Sequence, residues 1–429
     1  MEKYKIVGGK KLSGEVFISG AKNSVVALIP ATILANGVSQ LDNVPDIEDV
    51  RLMLQILEDL GATVDKIDKN SYKIDTTNVK PAPIGDDAAK MRASVYFMGA
   101  LFGRFGEFAV PPAGGDKIGE RPIDLHRKSF ELLGAEVDED AIIGGKNYVV
   151  ATTRDEILPD KISIKFPKVS VGATINTILA AVLCDGKVIE LINPAKEPHI
   201  IDVVNYLNCC GAQIRGAGTG KITIVGVKSL RGCIHSVIPD QIESGTYMLA
   251  CAICGGDIYV RNVIPKHLEQ ISLKLAECGV FVDSLGDSIH VHTEGRPRSC
   301  DIITAPYPGF PTDMQAFFGV LLTVATGSGI ITETIWNNRF GYVFELKKMG
   351  ANILLPLGNS FAVFCEIENS LHGANLEALD IRAGAALAIA GLAAQGETII
   401  SDIRHIDRGY EDFAGKLRQL GADIERIDI

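Results

Sequence analysis

Apolar and polar positions alternate along this chain in a pattern that recurs. The end of an amphipathic helix, a glycine and a β run follow one another as LEDLGATV, FELLGAEV, LNCCGAQI, LAECGVFV, LKKMGANI and LRQLGADI, with the glycines at Gly61, Gly134, Gly211, Gly279, Gly350 and Gly421. Their spacings of 73, 77, 68, 71 and 71 residues define a unit of about 72 residues, repeated six times. A second landmark lies 21 to 28 residues earlier in each unit. It is a nearly all-apolar helical run that ends at Gly37, Gly106, Gly186, Gly256, Gly329 or Gly396, as in LIPATILANG and LAIAGLAAQG. Helices apolar on every face belong inside a domain. Between the landmarks lie short β-rich pieces such as VIELIN, IYVRNV, GIITET and TIISDI, so each unit reads strand, buried helix, strand, amphipathic helix, strand, strand. The glycine after each amphipathic helix is a C′ residue, where a left-handed backbone costs a residue without Cβ almost nothing.

Six such units exceed one hydrophobic core, so the expected arrangement is an α/β fold of two domains with three βαβαββ units each. The predicted division is residues 22–235 for one domain and 1–21 plus 236–429 for the other. Buried helices would lie inside and sheets outside, an inside-out α/β barrel.

Composition narrows the function. The chain has 429 residues, 47% hydrophobic and 22% charged, with a formal net charge of −11. A field of that sign repels nucleic acids and anionic membranes, although a local basic cluster can still hold a small anion. No apolar run is long enough to span a bilayer, and no secretory start is present. The nine cysteines include Cys184, Cys209, Cys210, Cys251 and Cys254, most of them in apolar helical patterns. They read as reduced core residues of a cytoplasmic protein, and the Cys251/Cys254 C-x-x-C closes an all-apolar stretch rather than a metal or redox site.

Candidate chemistry collects where the buried helices begin, because their unpaired N–H groups and positive dipole attract polar ligands. The starts read SGAKNS with Lys22 and Asn23, KMRAS with Arg92, PKVSVGA with Lys168 and Ser170, QIESGT with Glu243, PTDMQA with Asp313, and ALDIRAGA with Asp380 and Arg382. Helix capping accounts for Ser170, Asp313 and Asp380 taken singly. It does not account for Lys22, Arg92 and Arg382, since cations at a positive helix end call for a solvated position or a shared anion. Loops from second strand to second helix add Asp116, Arg121, Glu197, Lys266, Asn338, Arg339, Asp407 and Arg408. With a common symmetry these groups would converge on a cleft between the domains. Pro111–Asp116 (PPAGGD) reads as a turn, and its excess length also suits a lid over residues 111–122.

Over nearly the whole chain these segments resemble the UDP-N-acetylglucosamine 1-carboxyvinyltransferases of the enolpyruvyl transferase family. The resemblance is carried by GGKKLSGEV, SGAKNS, VPDIEDV, MRAS, IGERPIDLH, PKVSVGAT, FPTDMQA, TETIWNNRF and HIDRGYE. It implies transfer of the enolpyruvyl group of phosphoenolpyruvate to the 3-hydroxyl of UDP-N-acetylglucosamine, by addition and elimination through a tetrahedral ketal. No metal or cofactor is needed, and these two small molecules are the implied partners; a monomer is expected, although the sequence does not fix the oligomeric state. Lys22, Arg121 and Arg408 are implied to hold the phosphate of phosphoenolpyruvate and Arg339 and Arg382 its carboxylate, with Asp313 the base at the sugar hydroxyl. Asn23, Arg92, Arg121, Pro122, Ile123, Asp124, Leu125, Lys168, Val169, Ser170, Val171 and Ile335 match the nucleotide-sugar positions, and Asn23 also borders phosphoenolpyruvate. The chain departs from the common pattern at Asp116, where most members carry a lid cysteine and a minority an aspartate. Either group can deliver a proton to the methylene carbon, but only a thiolate is alkylated by fosfomycin, so insensitivity to that antibiotic is expected. His199 and Gln241 also depart from the pattern and are expected at surface or interdomain contacts. Competing readings are a relative acting on 3-phosphoshikimate, one serving another nucleotide sugar, and a non-catalytic ligand-binding protein.

Overall fold

A computed structural model describes residues 2–115, 122–358, 360–367 and 371–428. Six long apolar helices, here α1 to α6, start the repeats: α1 Lys22–Ala31, α2 Tyr96–Phe105, α3 Val171–Ala181, α4 Gln241–Cys254, α5 Gln315–Val324 and α6 Ile381–Ala393. Nearly every residue in them is buried. The chain divides into two compact units, one built on residues 20–115 and 122–238 and the other on 2–19 with 239–428, and each has its own hydrophobic core.

In the first unit α2 packs against both α1 and α3, and in the second α4, α5 and α6 all touch one another. The contact between α2 and α3 is close enough to require glycine. A Cβ on Gly99 would meet the backbone oxygen and Oδ1 of Asn176 at 2.6 Å, and the Gly99 N–H donates to that Oδ1 at 2.8 Å.

Among the described residues, six small sheets stand around the helices, five of four strands and one of three. In a complete unit the first strand pairs in parallel with the second, as Lys161–Lys165 does with Val188–Ile192, and the remaining contacts are antiparallel. The sixfold βαβαββ reading meets three modifications. The first strands of the first and fourth repeats are exchanged: Leu12–Phe17 precedes α1 but pairs with Gly256–Arg261, and Ile234–Ser236 precedes α4 but pairs with Val38–Asp42. Each therefore belongs to the unit that the chain is about to leave. The sixth sheet is completed by the amino terminus, with Glu2–Val7 lying between Glu397–Ser401 and Asp423–Asp428. In the second repeat, Glu107–Val110, Lys146–Thr153 and Ala135–Ile143 form the sheet with no first strand among the described residues.

All six helix-terminal glycines, from Gly61 to Gly421, have positive φ, so the repeat landmark is a backbone requirement. Of the second set, Gly329 is the exception: it opens the strand Gly329–Thr332, and Gly327 takes the left-handed conformation instead. All nine cysteines are free, but Cys209 is exposed rather than a core residue. His199, expected at a surface or interdomain contact, is buried in the helix Pro198–Cys209, while Gln241 is partly buried at the start of α4. No helix of the described residues is long and apolar enough to cross a membrane.

Candidate functional site

Candidate residues gather into two groups, one in each unit. In the second unit the centre is Asp313, in the turn Thr312–Met314 that leads into α5. It is not a helix cap. Its Oδ1 accepts from Arg339 Nη2 at 2.7 Å, and its Oδ2 lies 3.4 Å from Nε and Nη2 of Arg382. One carboxylate thus holds two guanidinium groups, both almost fully buried, while Asp313 itself keeps some exposure. Arg382 also lies over the ring of Tyr410, 5.3 Å from its centroid, and burial pushes the Tyr410 phenol up to about 12, so it is neutral near pH 7. Tyr410 Oη shares a 2.9 Å hydrogen bond with Thr246 of α4. Desolvation opposes the charge of Arg382, but its acidic surroundings, Asp313 among them, outweigh it and raise its pKa. Arg408 follows the short helix Arg404–Asp407 and is half-buried.

Capping operates elsewhere in this unit. Asp380 accepts the N–H groups of Arg382 and Ala383 and so fixes the start of α6 that carries Arg382. At α4 the cap is Asp240, a residue the sequence pattern did not single out. Glu243 instead pairs with Lys416 Nζ at 2.6 Å and accepts the Ser19 N–H at 2.8 Å. Burial raises its pKa, against the pull of Lys416.

In the first unit Lys22 opens α1 and forms a 2.9 Å ion pair with Asp49, both side chains largely buried. The anion that the helix-start cations called for is here supplied internally, by Asp49 for Lys22 and Asp313 for Arg382. Asn23 is half-buried beside Lys22, and Arg92 begins the turn Arg92–Val95, one step before α2 rather than on it. Ser170 caps α3 by accepting the Ala173 N–H at 3.3 Å. Lys168 is exposed and Val169 and Val171 half-buried around it; Pro122 and Asp124 are exposed, Ile123 half-buried and Leu125 buried at the start of the helix Asp124–Leu132.

His126 ties these segments together and was not picked out by sequence reasoning, although it ends the IGERPIDLH segment. Its Nδ1 accepts from the Asn176 amide at 2.8 Å, and Asn176 in turn accepts from Gly99. An amide nitrogen can only donate, so the imidazole carries its proton on Nε2. Burial, with a smaller push from Arg92, lowers its pKa to about 3 and keeps the ring neutral. A Cβ on Gly172 would reach His126 Cε1 at 3.0 Å, which explains the glycine in PKVSVGAT. The helix Asp124–Leu132, α2 and the start of α3 are thus fixed against one another. Asp116, Lys117 and Arg121 lie outside the described residues.

In the second unit the segment Glu333–Arg339 leads from the strand Gly329–Thr332 toward the helix Tyr342–Lys348 and holds Ile335, half-buried, and Arg339. Its anchor, Glu333, also went unread in the sequence, as did Thr312 beside Asp313.

The family model of EPSP synthase (3-phosphoshikimate 1-carboxyvinyltransferase) matches residues 6–417. A UDP-N-acetylglucosamine 1-carboxyvinyltransferase of Clostridium botulinum is 49% identical over the full length of both chains. The UDP-N-acetylglucosamine 1-carboxyvinyltransferase 3 of Caldanaerobacter subterraneus is 51% identical, again over the whole of each. Among solved structures, the enolpyruvyl transferase NikO from Streptomyces tendae superposes with a TM-score of 0.86 at 26% identity, covering 99% of this chain and 98% of its own. EPSP synthase from Acinetobacter baumannii shares the fold, with a TM-score of 0.74 at 19% identity over both full chains. Half the residues in common with such relatives from end to end, on the same fold, place this chain among the UDP-N-acetylglucosamine 1-carboxyvinyltransferases of the enolpyruvyl transferase family, and make it a transferase.

Proposed function

We propose that this protein transfers the enolpyruvyl group of phosphoenolpyruvate to the 3-hydroxyl of UDP-N-acetylglucosamine and releases phosphate, the first committed step of peptidoglycan synthesis, in the cytoplasm. The observation that carries this reading is the cluster in which Asp313 sits between Arg339 and Arg382. Two buried guanidinium groups suit the carboxylate of phosphoenolpyruvate, because each presents a planar fork of donors to a planar anion. Asp313, still partly exposed, is the base for the sugar hydroxyl proton. Addition joins the sugar oxygen to C2 of phosphoenolpyruvate while a proton reaches the methylene carbon. Elimination then expels phosphate and returns a proton from the methyl group. Lys22, Arg121 and Arg408 are assigned to the phosphate, and Asn23, Arg92, the residues 122–125 and 168–171, and Ile335 to the nucleotide sugar.

The decisive measurement is phosphate release from phosphoenolpyruvate with UDP-N-acetylglucosamine, 3-phosphoshikimate or no acceptor. Release with the nucleotide sugar alone, and a loss of about a hundredfold or more in kcat for Asp313→Asn, is expected. Turnover with 3-phosphoshikimate instead, or a fully active Asp313→Asn enzyme, would overturn the assignment.

The lid position adds a finer claim. Alkylation by fosfomycin needs a thiolate, and residue 116 is aspartate, so the wild type should keep its activity after incubation with the drug while Asp116→Cys loses it with time. Time-dependent inactivation of the wild type at stoichiometric drug would count against this.

A further inference from the structure

Four of the six repeats end their second strand in the same way. Asn43, Asn193, Asn262 and Asp402 each follow the last strand residue, and all four have φ between 56° and 58°. Three of them use the side-chain amide to bind the carbonyl just past the neighbouring parallel strand: Asn43 to Val237, Asn193 to Phe166 and Asn262 to Ile18, at 2.7 to 3.0 Å. This is a structural device of the repeat, since Asn and Asp tolerate the left-handed conformation better than other side chains.

The fifth repeat breaks the rule. Its residue after the strand Gly329–Thr332 is Glu333, which is not among the left-handed residues, and the carbonyl of Thr304 is bound by Thr334 Oγ1 instead, at 2.6 Å. Glu333 is buried, 5% exposed, and its carboxylate accepts four hydrogen bonds. Oε1 takes Thr304 Oγ1 at 2.9 Å, the Ile335 N–H at 2.8 Å and the Trp336 N–H at 3.2 Å. Oε2 takes the hydroxyl of Thr312 at 2.8 Å.

Those bonds lead to the proposed chemistry. Because the Thr312 hydroxyl spends its proton on Glu333, its oxygen is left to accept, and Arg339 Nη1 donates to it at 2.7 Å. The other terminal nitrogen of the same guanidinium then falls on Asp313 at 2.7 Å. The same carboxylate, through two backbone N–H groups, sets the start of the segment that carries Ile335. A buried carboxylate is expensive unless its acceptor capacity is filled, and a repeat that uses asparagine elsewhere has no structural need for one here.

We propose that Glu333 is a positioning residue for the reaction. It aims Arg339 and Asp313 through Thr312, and by fixing the turn at Ile335 it also shapes the acceptor side of the site. This rests on the function proposed above, and the test separates the two. With Glu333→Gln, an amide can donate but not accept at the Thr312 side, so the hydroxyl loses its acceptor and Arg339 its fixed partner. Loss of hydrogen bonds to charged groups predicts a rise of about tenfold or more in KM for phosphoenolpyruvate, with kcat also reduced. Thr312→Val should reproduce the change in KM, whereas Thr312→Ser, which keeps the hydroxyl, should not. A comparison variant, Glu345→Gln, removes another buried carboxylate, held by Lys348 and the Glu377 N–H, and should lower thermal stability without moving KM. Wild-type KM values in both Glu333→Gln and Thr312→Val, with losses that only track stability, would overturn the inference. An inactive wild type would instead overturn the proposed function.

Discussion

Single residues in this molecule are set by what the buried environment allows them to be. His126 is the clearest case. The folded ring is neutral with a pKa lowered to about 3, while an unfolded histidine titrates near 6.5. As pH falls through this window the unfolded chain takes up a proton that the folded chain refuses, so the contribution of His126 is whole above about pH 6.5 and lost progressively toward about pH 3. At pH 5 the penalty is roughly 2 kcal/mol, by linkage. Urea unfolding at pH 7.5 and pH 5.0 should show this loss, and His126→Gln should flatten the difference between the two; an equal pH dependence in both proteins would refute the assignment. The sequence offered little warning of this residue, since one histidine after a leucine has no pattern. By contrast Arg382 stood out, because a cation beside a helix start contradicts the dipole and calls for solvent or an anion, whereas Asp313 taken singly read as a helix cap. The partner turned out to be internal.

Elements were more legible than residues. The six glycine landmarks follow from local backbone energetics, and every one adopts the left-handed conformation that the helix endings predicted. The buried helices were equally plain, since an all-apolar helix has nowhere to go but inside. Strand partnership was not legible. The strand Glu2–Val7 is paired on both sides and buries Tyr4 and Ile6, with partners about 400 residues away that no local pattern indicates. Its removal leaves Asp423–Asp428 without a neighbour. A variant starting at Gly8 should therefore lose roughly 4 kcal/mol or more, from the burial of those two side chains alone. Urea unfolding can measure this, and hydrogen exchange should show the amides of Asp423–Asp428 unprotected. An unchanged midpoint would mean that the sixth sheet does not depend on the amino terminus.

At the scale of the whole molecule, the sequence by itself determined the repeat, its six helices and the inventory of charged groups, because period, apolarity and glycine placement act within a few residues of one another. The family resemblance, too, lay in contiguous segments, and matches over the full length of known relatives agree with it. Only the tertiary structure decided which strands exchange between the two units, that the amino terminus completes the last sheet, and which anion each cation faces. It also decided that Glu333, one acidic residue among 53, stands where four of the other repeats keep an asparagine or aspartate. Pairings of this kind join residues far apart in the chain, from Thr304 and Thr312 to Glu333 and Arg339 or from Leu12 to Gly256. Their energies depend on burial and on direction, neither of which a linear pattern contains.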